Sequence, residues 1–174
     1  MKKVVSIFYA IVAAMLFTTS VLAGPSIKLS GGANNVDWEL GSLIAKGNLI
    51  LGNTNVTIAL DASGTPEVIC TNQGANPAPG QNPANISATG AQDLIGQTKN
   101  GKAPFDVKAS PPDIVPGLVG GCPNNNWTGQ IVFVYWEHAV LTVTDPVSGA
   151  VLLQQAYDCE TTRHPDNVRC WAVE

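Results

Sequence analysis

The chain has 174 residues, of which 13% are charged, against about 25% in an average soluble domain. Nine Lys and Arg against thirteen Asp and Glu give a net charge of −4. Polyanion binding needs clustered cations, and these few are scattered, which excludes nucleic acid and anionic membrane as partners. Seventeen Gly and twelve Pro punctuate the chain too often for long helices, coiled coils or helix-rich cofactor folds.

Residues 1–23 read as an export signal. Lys2 and Lys3 open it, residues 4–17 are apolar, and Val21-Leu22-Ala23 puts small residues where signal peptidase reads them. The apolar run is shorter than the roughly 20 residues of a spanning helix, and Gly24-Pro25 follows it, so no lipid-bearing Cys is present there. The expected product is a single exported domain, residues 24–174. It is secreted, or periplasmic in a Gram-negative bacterium, with no membrane association after cleavage. The lysine-rich start has a bacterial look. The sequons at Asn55, Asn85 and Asn126 are then chance matches in an Asn-rich chain; in a eukaryotic secretory pathway they would be glycan acceptors.

Residues 37–51 are expected to hold one or two strands broken by Gly41 and Gly47. Residues 56–60 alternate and should stop at Asp61-Ala62-Ser63-Gly64, with 66–70 returning as the second arm of a hairpin. Only residues 92–96 offer a helical turn. Residues 131–136 are apolar on both faces, as in a central strand, and place Trp136 in the core. Residues 140–144 alternate into the turn Asp145-Pro146-Val147-Ser148-Gly149, and 150–157 follow as a strand. Eight or nine short strands whose sheets must each bury a face imply an all-β, disulfide-stapled β-sandwich, Ig-like in architecture only. A closed β-barrel is the alternative.

Four cysteines in an exported chain imply disulfides. A hairpin with residues 163–166 as its loop pairs residues whose numbers sum to 329, and Cys159 with Cys170 meets that condition. His164-Pro165-Asp166-Asn167 reads as a type I turn at its tip. Cys70 is then left with Cys122. That bridge would fasten together two irregular loops, 71–85 and 110–126, with an inert connection as the simplest role for them. A zinc site is disfavoured because no C-x₂-C pair exists and the two His stand apart.

The run Cys70-Thr71-Asn72-Gln73-Gly74, continued by Ala78-Pro79-Gly80-Gln81-Asn82-Pro83, carries a resemblance. With Cys122-Pro123-Asn124-Asn125-Asn126-Trp127 and Leu152-Leu153-Gln154-Gln155, it resembles a group of small, functionally uncharacterised secreted bacterial proteins over most of the mature chain. The resemblance implies export and a compact β domain, and it transfers no activity, ligand or cofactor. Cys159 and Cys170 stand outside its pattern, so their bridge rests on hairpin geometry.

Chemistry is sparse. There is no G-x-S-x-G, and His138 and His164 read as surface or turn residues rather than bases of a triad. Asp37 with Glu39, and Asp158 with Glu160, are the paired carboxylates a small hydrolase would need. Their spacing along a strand, about 6.5–7 Å, is permissive. Asn34, Asn35, Asp37 and Glu39 supply oxygens for an irregular calcium site, but turns use the same residues, so no metal or cofactor is assigned. Trp127 beside Asn124, Asn125 and Asn126 is the candidate sugar-binding ring, while Trp38 and Trp171 have no evident role. The reading is a secreted, non-enzymatic binding or matrix-associated protein whose partner is a polysaccharide or cell-surface component. A carbohydrate-binding module on Trp127 is one alternative and a small hydrolase the other.

Overall fold

A computed structural model describes residues 27–94 and 100–174. The expected export signal, residues 1–23, lies outside them. The described residues form eleven strands and no helix: β1 (Lys28–Leu29), β2 (Asp37–Glu39), β3 (Leu43–Ile50), β4 (Val56–Thr71), β5 (Pro77–Pro79), β6 (Ile86–Leu94), β7 (Lys102–Ala109), β8 (Ile114–Pro116), β9 (Thr128–Thr144), β10 (Val151–Thr162) and β11 (Asn167–Ala172). The count exceeds the expected eight or nine because four of these strands have only two or three residues.

All pairings are antiparallel and form two sheets. In the smaller, β3 is central, with β7 along one edge and β1 and β2 sharing the other. The larger is built on the long β4–β9 pair. β6 and then β5 border β4, while β10 and then β8 border β9, and β11 closes the β10 side. The sheets do not close into a barrel, so the sandwich expectation holds and the barrel falls.

The hairpin expected at residues 61–64 does not exist. In β4 the inward positions Val56, Ile58, Leu60, Ala62, Val68 and Cys70 are buried, and the two-residue period runs on through Gly64 and Pro66. Pairing on both edges overrides local turn chemistry: Asp61 opposes Val140 and Thr89, and Ser63 opposes His138 and Ser87. Register shifts lie at Ser63/Gly64 and Glu67/Val68, where Glu137 and Val132 of β9 are the extra residues. At the first, a Cβ on Gly64 would sit 2.2 Å from the Tyr135 carbonyl oxygen, so only glycine fits the bulge. Pro66 occupies the stretch between the end of the β6 ladder at Gly64 and the start of β5 at Ile69, where no partner needs its missing N–H. Residues 131–136 and 140–144 likewise join into one strand, β9. Gln92 to Leu94 end β6 rather than forming a helical turn; residues 95 and 96 lie outside the described residues.

The main core lies between the sheets, around Leu43, Leu49, Phe105, Ile58, Leu141 and Trp136, the last 1% exposed as expected. One side is joined where β6 meets β7 through a Thr89–Ser110 bridge. On the other, the Tyr157 hydroxyl donates to the Ala33 carbonyl at 3.0 Å, and the Trp38 and Tyr157 rings meet edge-on at 5.0 Å. A second, small core of Val68, Cys70, Val115 and Cys122 sits at the far end of the β4–β9 ribbon.

Both disulfides form as expected, Cys70–Cys122 and Cys159–Cys170. The latter are directly opposed in the β10–β11 hairpin, whose register obeys the 329 sum throughout. Its tip differs from a type I turn: the His164–Pro165 peptide is cis and Pro165 is the third loop residue. The two loops joined by Cys70–Cys122 are less irregular than expected. They contribute β5 and β8 and are laced together by backbone bonds from Gln81 N–H to Gly121 and from Ala84 N–H to Val119.

Candidate functional site

Directly opposed residues in antiparallel strands share one face of a sheet. On the outer face of the larger sheet, this rule assembles a row across five strands. Ser87 of β6 opposes Ser63 of β4, which opposes His138 of β9, which opposes Asp158 of β10, which opposes Trp171 of β11. His138 Nδ1 and Asp158 Oδ1 are 2.9 Å apart. The Trp171 residue is 48% exposed, on a strand whose neighbouring residue Cys170 is tied to β10. At the opposite end of the row, a shallow recess of about 300 Å³ is lined by Asp61, Ser63, Ser87, Thr89, His138 and Val140, among others.

A second cluster adjoins it on the same face. Phe133 and Tyr135 meet edge-on, centroids 5.0 Å apart, and Tyr135 is 37% exposed. Arg163, from the β10–β11 loop, lies over the Phe133 ring at 5.2 Å and forms an ion pair with Glu67. Thr65 Oγ1 lies 2.7 Å from Glu137 Oε1 and 3.0 Å from Asn85 Oδ1, and its one hydroxyl proton serves either acceptor. The only sequence signal for this cluster was the apolar character of both faces of residues 131–136.

Where the two sheets part beside β9, a recess of about 490 Å³ is lined by Leu40, Ser42, Lys108, Asp113, Ile131 and Val132, among others. Among the described residues, no strand pairs the outer edge of β9 from Val132 to Glu137, since the β8 ladder stops at Gln130 and the β10 ladder begins at His138. The two bulges of β9 bracket this run, as bulges do where pairing ends.

Trp127 is half-buried and packs against the small Cys70–Cys122 core. Asn124, Asn125 and Asn126 are exposed beside it. The Asn124 side chain accepts the Asn126 N–H at 2.9 Å and its carbonyl accepts the Trp127 N–H, so this segment is a turn anchored by the indole. Asp37 and Glu39 are exposed on the edge strand β2. Glu39 accepts from Lys46 Nζ at 2.6 Å, and that bond, with the carboxylates of Glu39, Asp106 and Asp37, holds the Lys46 ammonium above its usual pKa. Asp158 belongs to the row above and Glu160 opposes Arg169. Each carboxylate pair thus lies along a single strand. Asn35 Nδ2 donates to the Ser30 carbonyl, and Asn34 Oδ1 accepts the Ala172 N–H. His164 is exposed at the hairpin tip, and the three sequon asparagines are exposed.

No family model, curated protein or solved structure matches this chain, so the site is read from its own residues.

Proposed function

We propose that the protein is an exported, non-enzymatic binding protein that engages a cell-surface or matrix component through the outer face of its larger sheet. The observation that carries this reading is the face itself, which no other described residues cover. It presents two exposed aromatic residues, Tyr135 on β9, which pairs with β4, and Trp171 on β11, which is tied to β10 by Cys159–Cys170, beside hydrogen-bonding side chains. Rings held on rigid elements lose little conformational entropy on contact, which is what a recognition surface needs. Two formed disulfides suit an oxidising compartment, and no described helix is long and apolar enough to cross a membrane.

The test is co-sedimentation of the oxidised chain with isolated bacterial cell envelopes. A Tyr135→Lys/Trp171→Lys double variant is expected to stay in the supernatant while the wild type pellets. Equal pelleting of the two would sink the outer face as the contact surface. Turnover of chromogenic ester or glycoside substrates by the wild type would sink the non-enzymatic reading.

A further inference from the structure

We infer that the row Ser87–Ser63–His138–Asp158–Trp171 is a binding site for a neutral glycan chain; this rests on the outer face being the contact surface. Five adjacent strands spaced 4.7–4.9 Å apart give a row about 19 Å long, the shape of an extended oligomer rather than a single small molecule. Trp171 supplies one end. The residue is 48% exposed, and its backbone is held by the β10 ladder and by the Cys159–Cys170 bridge. The indole face takes the C–H face of a sugar ring and leaves the hydroxyl edge free. Asp158 and His138 follow, already oriented by their 2.9 Å contact. Asp158 retains acceptor capacity and His138 a second ring nitrogen, so the pair can meet hydroxyls as both acceptor and donor. The two serine hydroxyls, each donor and acceptor, complete the row at the shallow recess.

Charge chooses among glycans. Asp61, Asp158 and Glu160 all face outward on this part of the sheet, with Arg169 opposite Glu160. A uronate or sulfate would meet carboxylates, whereas a neutral hydroxyl would find acceptors. The order Ser63, His138, Asp158 also invites comparison with a nucleophile, base and acid. However, no hydrogen bond joins Ser63 to His138 among the described contacts. Both residues are themselves paired on both edges of their strands, and the unpaired bulge residue next to His138 is Glu137, whose carboxylate would repel a developing oxyanion.

The test is retention of the oxidised chain on insoluble cellulose, chitin and xylan, with polygalacturonate as the anionic comparison. Retention on at least one neutral polymer is expected. It should weaken about tenfold in Trp171→Ala, the size of effect that loss of one stacked ring produces. Trp171→Phe should restore part of it, Asp158→Asn should weaken it, and Val147→Ala, in the distant β9–β10 turn, should leave it unchanged. Far-UV circular dichroism verifies that each variant is folded. Wild type retained by no neutral polymer, folded Trp171→Ala retained as well as wild type, or tighter binding to polygalacturonate would each overturn the assignment. Release of reducing sugar would overturn it in favour of hydrolysis. If no neutral polymer binds while envelope pelleting still depends on Tyr135 and Trp171, the glycan assignment alone falls. If pelleting ignores them as well, the outer face falls with it.

Discussion

The two disulfides close loops of very different length, and that difference predicts unequal contributions to stability. Cys70 and Cys122 are separated by 52 residues, Cys159 and Cys170 by 11. In the chain-entropy model, the long loop restrains the unfolded chain by about 4 kcal/mol and the short one by about 3 kcal/mol at room temperature. The surroundings widen the gap. Cys70 and Cys122 are almost wholly buried against Val68 and Val115, so replacing both by Ala also removes packed sulfur, whereas Cys159 and Cys170 are only half-buried. Cys70→Ala/Cys122→Ala should therefore lose about 4–6 kcal/mol, and Cys159→Ala/Cys170→Ala about 3 kcal/mol. Urea unfolding followed by tryptophan fluorescence measures both. The m-value should rise in each variant, because an uncrosslinked unfolded chain exposes more surface. At about 2–4 °C per kcal/mol for a chain of this size, the first variant should melt at least about 8 °C below wild type. Equal losses, or a larger loss from the short loop, would refute the entropic reasoning and the assignment of Cys70 and Cys122 to their own small core.

Gly90→Ala should destabilise by roughly 1–3 kcal/mol or more, because the new Cβ would stand 1.8 Å from the Lys108 carbonyl oxygen where β6 meets β7; wild-type stability in urea would mean that the two sheets do not approach so closely there. Burial pushes the Tyr157 phenol up to about 12, while in the unfolded chain it titrates near 10, a value typical of a free phenol. Between those pH values the unfolded state has lost the proton and the folded state keeps it, so stability falls as pH rises through this window. Phenolate absorbance should show a late ionising step that Tyr157→Phe removes together with that part of the alkaline destabilisation, and completion of all tyrosine ionisation near pH 10 in folded protein would contradict it.

What local pattern can encode was legible in the residues. The fold class follows from short β-branched runs that must bury one face. The Asp145 turn is visible because its carboxylate caps the N–H groups of Val147 and Ser148, bonds that also hold that carboxyl below its usual pKa. The Cys159–Cys170 bridge is visible because a hairpin converts sequence distance directly into register, and elimination then pairs Cys70 with Cys122. Local pattern misled at Asp61-Ala62-Ser63-Gly64. Those residues favour a turn in isolation, but hydrogen bonding to β6 and β9 on both edges outweighs that preference and carries β4 straight through.

The candidate site lay beyond any local pattern. Ser63, Ser87, His138, Asp158 and Trp171 come from five strands, and only the registers of four ladders, two of them offset by bulges, bring them into line. Nor does composition tell four tryptophans apart: the fold buries Trp136, packs Trp38 against Tyr157 and Trp127 against the small core, and leaves Trp171 open. Side-chain alternation and cysteine spacing act over a few residues and so are written in the chain itself. Which ring meets solvent, and which polar groups become neighbours, depends on pairings between distant segments, and those exist only once the sheets have assembled.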